Sequence, residues 1–139
     1  MPQPNTGIIA GYVRRSSEMQ KENFSLDAQK RAISDSLSPE ERPLLAFFTD
    51  DERSARGEQI AKRPDFKKLL EEAQAGRVQK VIVHSLDRWS RNVMVTLQSF
   101  RILADHQVAF VSLSEHIDYS TPEGRLQLTI LAAFAAYFS

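Results

Sequence analysis

Short apolar runs alternate with amphipathic segments along this chain. Residues 8–13 form an apolar run that is typical of a buried strand, and similar runs follow at 44–48, 78–84 and 108–113. Helix-like segments separate these runs. Strands that alternate with helices predict an α/β fold in which a largely parallel sheet of four to five strands has helices on both faces.

Local signals mark the expected ends of the helices. Ser25 is a suitable N-cap for a helix that ends near Ser38 and Pro39. Pro64 suits the first position of a second helix, and Gly76 suits its end. We interpret residues 49–62 as a mobile loop and residues 85–92 as a polar segment. The apolar face of the next helix is predicted to consist of Val93, Leu97, Phe100 and Ala104.

The last predicted helix, from about residue 125, is apolar around most of its circumference. Such a helix must be buried, either in the core or, as we expect, partly against another subunit. It reaches Ser139 without a helix-ending signal, so we expect it to be truncated here and to continue in the natural protein. We therefore divide the chain into an α/β core at about 7–120 and the start of a long helix at about 121–139.

Composition narrows the class of protein. The 18 basic and 18 acidic residues cancel, which argues against a stand-alone nucleic-acid binder. The absence of cysteine excludes disulfides and thiolate metal sites. Because the sequence has no signal peptide and no apolar stretch of the ~20 residues that span a bilayer, we expect a cytoplasmic protein without membrane contact.

Polar residues follow three of the predicted strands. The carboxyl ends of parallel strands meet at one edge of a sheet, where sites form. Strand alternation places Tyr12, Arg14 and Ser16 on the same side of the first strand. The groups that follow the second and third strands are Asp50, Ser54 and Arg63, and then Asp87, Arg88 and Arg91.

A hydroxyl among guanidinium groups indicates phosphoryl chemistry. Arginine binds phosphate oxygens through paired hydrogen bonds, and a nearby serine can act as a covalent nucleophile. Each feature alone has a simpler interpretation, since Arg14 and Arg15 suit a solvated surface and Ser16 and Ser17 suit a turn cap. Asp87, Arg88 and Arg91 also suit an ion-pair network. Their recurrence at three strand ends favours a site.

Five segments, in order, resemble the resolvase/invertase family of serine site-specific recombinases. They are a Tyr-x-Arg-x-Ser motif at 12–16, Ser-Leu-x-x-Gln at 25–29, an Asp-loop-Ser-Arg-Pro stretch at 50–64, Leu-Asp-Arg-x-x-Arg at 86–91, and residues 117–125. The spacing between Ser16 and Ser25 is more similar to that of the large serine integrases.

The resemblance implies a catalytic role for each motif. Ser16 attacks a DNA phosphodiester to form a 5′-phosphoserine and releases a 3′-hydroxyl. Arg14, Arg88 and Arg91 surround the phosphate, and Arg63 joins them from the mobile loop. Asp87 orients the arginines or assists proton transfer, and Gln29 positions the site. The supporting residues are Tyr12, Asp50 and Ser54.

The resemblance also implies partners. Four subunits cut and exchange DNA strands without a cofactor or metal. The last helix is the assembly element, through which the protein forms a dimer or a tetramer. The family's DNA-binding part follows that helix, so we expect this chain to bind double-stranded DNA weakly. Departures from the family occur at Ala55, where glycine is common, and at Ala136 and Ser139, where many members have Glu and Arg.

Three alternatives remain open at this point. One is a DNA-binding or assembly module in which Ser16 is inert. Another is a metal-dependent nuclease or phosphatase that uses the acidic residues Asp50, Asp51, Glu52 and Asp118. A nucleotide-binding domain ranks last because no glycine-rich loop follows the first strand. We interpret His84, His106 and His116 as structural, with His84 near the site.

Overall fold

The computed structural model describes residues 6–15, 25–51, 63–115, 117–118, 121–123 and 126. In this part of the chain, five strands form one sheet in the order β2-β1-β3-β4-β5. The strands are β1 (Ile8–Arg15), β2 (Leu45–Asp51), β3 (Val78–Val83), β4 (Ala109–Ser112) and β5 (Ile117–Asp118). The first four are parallel, and β5 pairs antiparallel with β4. The predicted α/β fold is confirmed.

Helices cover both faces of the sheet, as predicted. They are α1 (Leu26–Asp35), α2 (Pro64–Gln74), the single-turn α3 (Leu86–Trp89) and α4 (Val93–Asp105), with a 3₁₀ helix at Arg42–Leu44. On one face, Ile33 of α1 packs against Val13 and Ile82. On the other face, α2 and α4 bury Phe66 and Leu103 in a larger, aromatic core.

Local chemistry explains where two helices begin and end. The Ser25 hydroxyl caps α1 by accepting a hydrogen bond from the Ala28 N–H at 3.1 Å, which confirms the predicted N-cap. Helix α2 begins at Pro64, as predicted, and ends before Gly76, which has a φ of +81°. The Arg77 N–H then bonds to the Glu72 carbonyl at 3.0 Å and closes the helix in a Schellman motif.

Three predicted boundaries are wrong. β1 continues to Arg15 and β2 to Asp51, so residues 49–51 belong to a strand and not to a loop. These polar strand ends pair with each other, with Arg14 opposite Asp50 in the parallel register. Helix α1 ends earlier than predicted, at Asp35, because Ser36 already forms its C-cap.

The predicted apolar face of α4 is also wrong in part. Leu97 is 42% exposed and Ala104 is exposed, whereas Ser99, Phe100 and Leu103 face the core. A serine can lie inside because the Trp89 indole N–H donates to its hydroxyl at 2.8 Å. No helix among the described residues is long and apolar enough to cross a bilayer. The predicted last helix lies outside the described residues except at 122–123 and 126.

Candidate active site

The strand order reverses direction between β1 and β3. Strand β2 lies on one side of β1, and the remaining strands lie on the other. The helices that follow β1 and precede β3 lie on opposite faces of the sheet. In open α/β sheets, ligands bind in a crevice outside the carboxyl ends of the strands at such a point. Arg14, near the end of β1, and α3, which follows β3, meet at that crevice.

Arg14 is held through both its side chain and its main chain. The residue is 1% exposed, and its Nη2 donates to the main-chain oxygen of Asp87 at 2.5 Å, which joins the end of β1 to α3. The buried side chain of Gln29 brackets its main chain. The Arg14 N–H donates to Oε1 at 3.3 Å, and Nε2 donates to the Arg14 oxygen at 3.2 Å. The position two residues before Ser16 is therefore fixed.

Helix α3 and the connection that follows it carry the other charged groups at the crevice. Arg88 is 4% exposed, whereas the side chains of Asp87 and Arg91 are about half exposed. Asp87 Oδ2 and Arg91 Nη2 lie 3.9 Å apart, and the Ser85 hydroxyl donates to Asp87 Oδ1. A half-exposed ion pair contributes little stability, so Arg91 can exchange this contact for an anionic ligand.

A buried polar network connects β1 and β2 to α2. The Tyr12 hydroxyl donates to Asp50 Oδ2 at 2.7 Å and accepts from Arg63 Nη2 at 2.9 Å and Nε at 3.2 Å. The Asp50 carboxylate also accepts the main-chain N–H groups of Asp65 at 3.0 Å and Phe66 at 2.9 Å. Asp50 thereby stabilises the first turn of α2, where a negative charge is favoured.

Arg63 lies at the N-cap position of α2 and is 1% exposed. Its guanidinium stacks on the Phe66 ring at 3.9 Å and donates to the main-chain oxygen of Trp89. The sequence placed Arg63 in a mobile loop, but these contacts hold it in the interior, between Tyr12 and α3. Its predicted contact with phosphate stays a prediction.

This environment shifts the pKa values of two side chains. Burial raises the pKa of Tyr12 far above its usual value; Arg63 opposes the increase and Asp50 adds to it. The phenol therefore remains a donor to Asp50. Burial, and then the positive charge of Arg88, lower the pKa of His84, so this imidazole is neutral at pH 7.

Sequence reasoning missed Glu115, in the turn after β4. Its Oε1 and Oε2 accept the N–H of Leu86, the first residue of α3, at 3.2 and 3.4 Å, and the Ser112 hydroxyl donates to Oε1. The sequence did contain a signal for this residue, namely an acidic side chain just beyond the carboxyl end of a strand. That end lies at the same edge of the sheet as Arg14.

The predicted site residues fall into two connected groups. The first group, at the crevice, consists of Arg14, Gln29, Asp87 and Arg91, with the buried Arg88 next to Asp87 on α3. The second group consists of Tyr12, Asp50 and Arg63, and Arg63 joins it to α3. Ser16 and Ser54 lie outside the described residues, as does Glu52. Within the described ranges, no group of three or more His, Cys, Asp or Glu residues could hold a metal ion.

Residues 9–139 match the protein family described as Resolvase, N terminal domain. The chain belongs to this family. The sequence resemblance is thereby confirmed. The chain is 28% identical over 137 residues to the Transposon Tn21 resolvase of Escherichia coli, covering 95% of this chain and 62% of that protein. It is 32% identical over 128 residues to a DNA-invertase of Enterobacteria phage P7, covering 92% of this chain and 60% of that protein.

A solved structure is also similar along nearly the whole chain. The N-terminal catalytic domain of TP901-1 integrase superimposes with a TM-score of 0.71 at 28% identity, covering 93% of this chain and 94% of that domain. By contrast, the chain spans only about three fifths of the length of the resolvase and the invertase. The similarity to these two proteins is therefore confined to part of each.

Proposed function

We propose that this resolvase-family chain is the catalytic domain of a serine site-specific DNA recombinase with Ser16 as its nucleophile. The observation that carries the proposal is the position of Arg14. Its guanidinium is buried at the crevice, bonded to the Asp87 carbonyl and two residues before Ser16. Similarity to a resolvase, an invertase and an integrase supports the same reaction class.

The proposed reaction exchanges one phosphate ester for another. Ser16 Oγ attacks the phosphorus of a DNA phosphodiester, so that a P–Oγ bond forms and the P–O3′ bond breaks. The serine proton passes to a base, and the leaving oxygen takes up a proton to become a 3′-hydroxyl. A 3′-hydroxyl then attacks the 5′-phosphoserine, the P–Oγ bond breaks, and serine regains its proton. Because ester bonds are conserved, the cycle requires no ATP.

Arginines at the crevice stabilise the charge on the phosphoryl oxygens. Arg14 and Arg88 are buried in the protein, and Arg91 is accessible in the connection that follows α3. Fixed donors of this kind each contribute about 10²–10³ in rate. Asp87 lies 3.9 Å from Arg91 and orients it. Gln29 keeps Arg14 in place through its main chain.

The remaining predicted residues support the site. Tyr12 and Asp50 fix the ends of β1 and β2 against α2, and Arg63 links this network to α3. We assign Ser54 to the same supporting set from its motif alone. The substrate is duplex DNA, and assembly into a dimer or tetramer proceeds through the C-terminal helix.

Covalent trapping tests the nucleophile. The gene product that contains this chain is incubated with duplex DNA that flanks the gene, and adducts are separated on denaturing gels with and without EDTA. We expect an EDTA-insensitive protein–DNA adduct that Ser16→Ala abolishes and that the matched control Ser17→Ala retains. No adduct in the parent protein indicates an inert module. Cleavage that EDTA abolishes supports a metal-dependent nuclease, and either result overturns the proposal.

A further inference from the structure

The start of α3 depends on contacts from outside the helix. α3 has only four residues, and so short a helix is unstable by itself because its few hydrogen bonds do not offset the cost of nucleation. Among the described contacts, the side chain of its N-cap, Ser85, makes no hydrogen bond to the α3 main chain, and its hydroxyl donates to the Asp87 carboxylate instead. The N–H of Leu86 therefore has no acceptor from the cap and is available to one from another element.

Glu115 provides that acceptor from a well-fixed turn. Its carboxylate accepts the Leu86 N–H with both oxygens, at 3.2 and 3.4 Å. The turn itself extends the pairing of β3 with β4, since the Leu113 N–H donates to the Val83 oxygen at 3.1 Å and the Ser114 N–H donates to the His84 oxygen at 2.8 Å. The position of Glu115 is therefore set by the sheet.

We propose that Glu115 is a positioning residue of the recombinase site, acting by fixing the first turn of α3. The inference rests on the proposed function. The next residue after Leu86 is Asp87, whose carbonyl receives the Arg14 guanidinium at 2.5 Å. If α3 loses its anchor, this carbonyl moves relative to Ser16, and Arg91 shifts because it follows the end of α3 by two residues. A displacement of ~1 Å at such a site can cost about 10²-fold in rate.

A kinetic comparison tests the consequence for catalysis. In the gene product that contains this chain, we expect Glu115→Ala to slow single-turnover formation of the Ser16–DNA adduct by about 10- to 100-fold. The DNA concentration that gives half the maximal rate should change little, because the contacts of Glu115 are with Leu86 and Ser112 and its proposed role is to hold α3. Glu115→Gln recovers most of the rate, since its Oε1 still accepts the Leu86 N–H. Glu71→Ala, which removes an exposed carboxylate from α2, serves as the matched control.

Amide hydrogen exchange tests the anchor independently of any DNA reaction. We expect Glu115→Ala to accelerate exchange at the Leu86 N–H by at least about tenfold, while Glu115→Gln and Glu71→Ala remain close to the parent. Unchanged exchange at Leu86 overturns the anchor, and faster exchange with an unchanged adduct rate overturns its role in positioning. If the parent protein forms no adduct, the recombinase assignment and the positioning role of Glu115 both fail, whatever hydrogen exchange shows about the contact between Glu115 and α3.

Discussion

Tyr12 illustrates how one buried hydroxyl orders charged neighbours. It donates to Asp50 and accepts from Arg63, so each charged group has a partner in the low-dielectric interior. Strand alternation correctly predicted that Tyr12 and Arg14 share a side, since both contact α3, through Trp89 and Asp87 respectively. The sequence could not show that Asp50 caps α2, because that contact joins residues that are 15 and 16 positions apart.

The raised pKa of Tyr12 predicts a pH-dependent loss of stability. The folded protein holds the phenol proton more tightly than the unfolded chain, in which tyrosine titrates near 10. This contribution is therefore complete below about pH 10 and is lost as the pH rises further. At pH 7 we expect Tyr12→Phe to lower the free energy of unfolding by about 1–3 kcal/mol, because Asp50 and Arg63 each lose a partner.

Urea denaturation of both proteins between about pH 7 and 11 measures this difference. The stability of the parent protein should fall more steeply above about pH 10 than that of Tyr12→Phe, so the two curves converge. Groups other than Tyr12 titrate in both proteins, so their contributions to the pH dependence of stability cancel in the comparison. Parallel curves across this range would show that the phenol does not resist ionisation in the folded state.

At the scale of elements, the sequence predicted the four main strands and their order along the chain, but not all of their ends. Arg14 and Asp50 occupy paired strand ends, where polar residues resemble the start of a loop. Helix α3 was hidden because one turn is too short to show a period. The buried face of α4 was misassigned because Ser99 faces inward to bond Trp89. At the strand ends and in α4, a tertiary contact overrides the local pattern, whereas α3 is simply too short to produce one.

Gln29 offers a test of how α1 is joined to β1. Gln29→Glu keeps the shape of the side chain but places an oxygen where Nε2 now donates to the Arg14 carbonyl, at 3.2 Å. Two acceptors then face each other in a fully buried position. We expect the free energy of unfolding to fall by about 2–3 kcal/mol, measured by urea denaturation at pH 7.

The matched control is Gln98→Glu, which makes the same chemical change on the exposed side of α4. A surface substitution of this kind changes stability by no more than about 0.5 kcal/mol. Equal effects of the two substitutions would mean that the Gln29 amide does not hold the Arg14 main chain.

For the whole molecule, charge placement matters more than net charge. The 18 basic and 18 acidic residues cancel, yet Arg14, Arg88 and Arg91 gather at the carboxyl edge of the sheet. Parallel strand order made this gathering predictable from sequence. The sequence did not show that Arg14 and Arg88 are almost fully buried while Arg91 is half exposed, because burial depends on how α3 packs.

This distribution predicts which arginine contributes to the salt dependence of DNA binding. Each phosphate neutralised by a cation changes the slope of log Kobs against log salt by about −0.9. We expect Arg91→Ala, in the gene product that contains this chain, to make that slope shallower by about 1, measured by fluorescence anisotropy with a labelled duplex.

Arg77 is the matched control because it is exposed but precedes β3, at the amino end of the strands, where it pairs with Glu72. Arg77→Ala should leave the slope unchanged if DNA lies across the carboxyl edge. If both substitutions reduce the slope equally, DNA contacts the two edges alike. The crevice at Arg14 would then not be favoured over the opposite edge as the binding site of the scissile phosphate. A reduction of the slope that occurs only in Arg91→Ala would show that the duplex lies across the carboxyl edge. Because this measurement does not depend on cleavage, it tests the position of DNA separately from the reaction of Ser16.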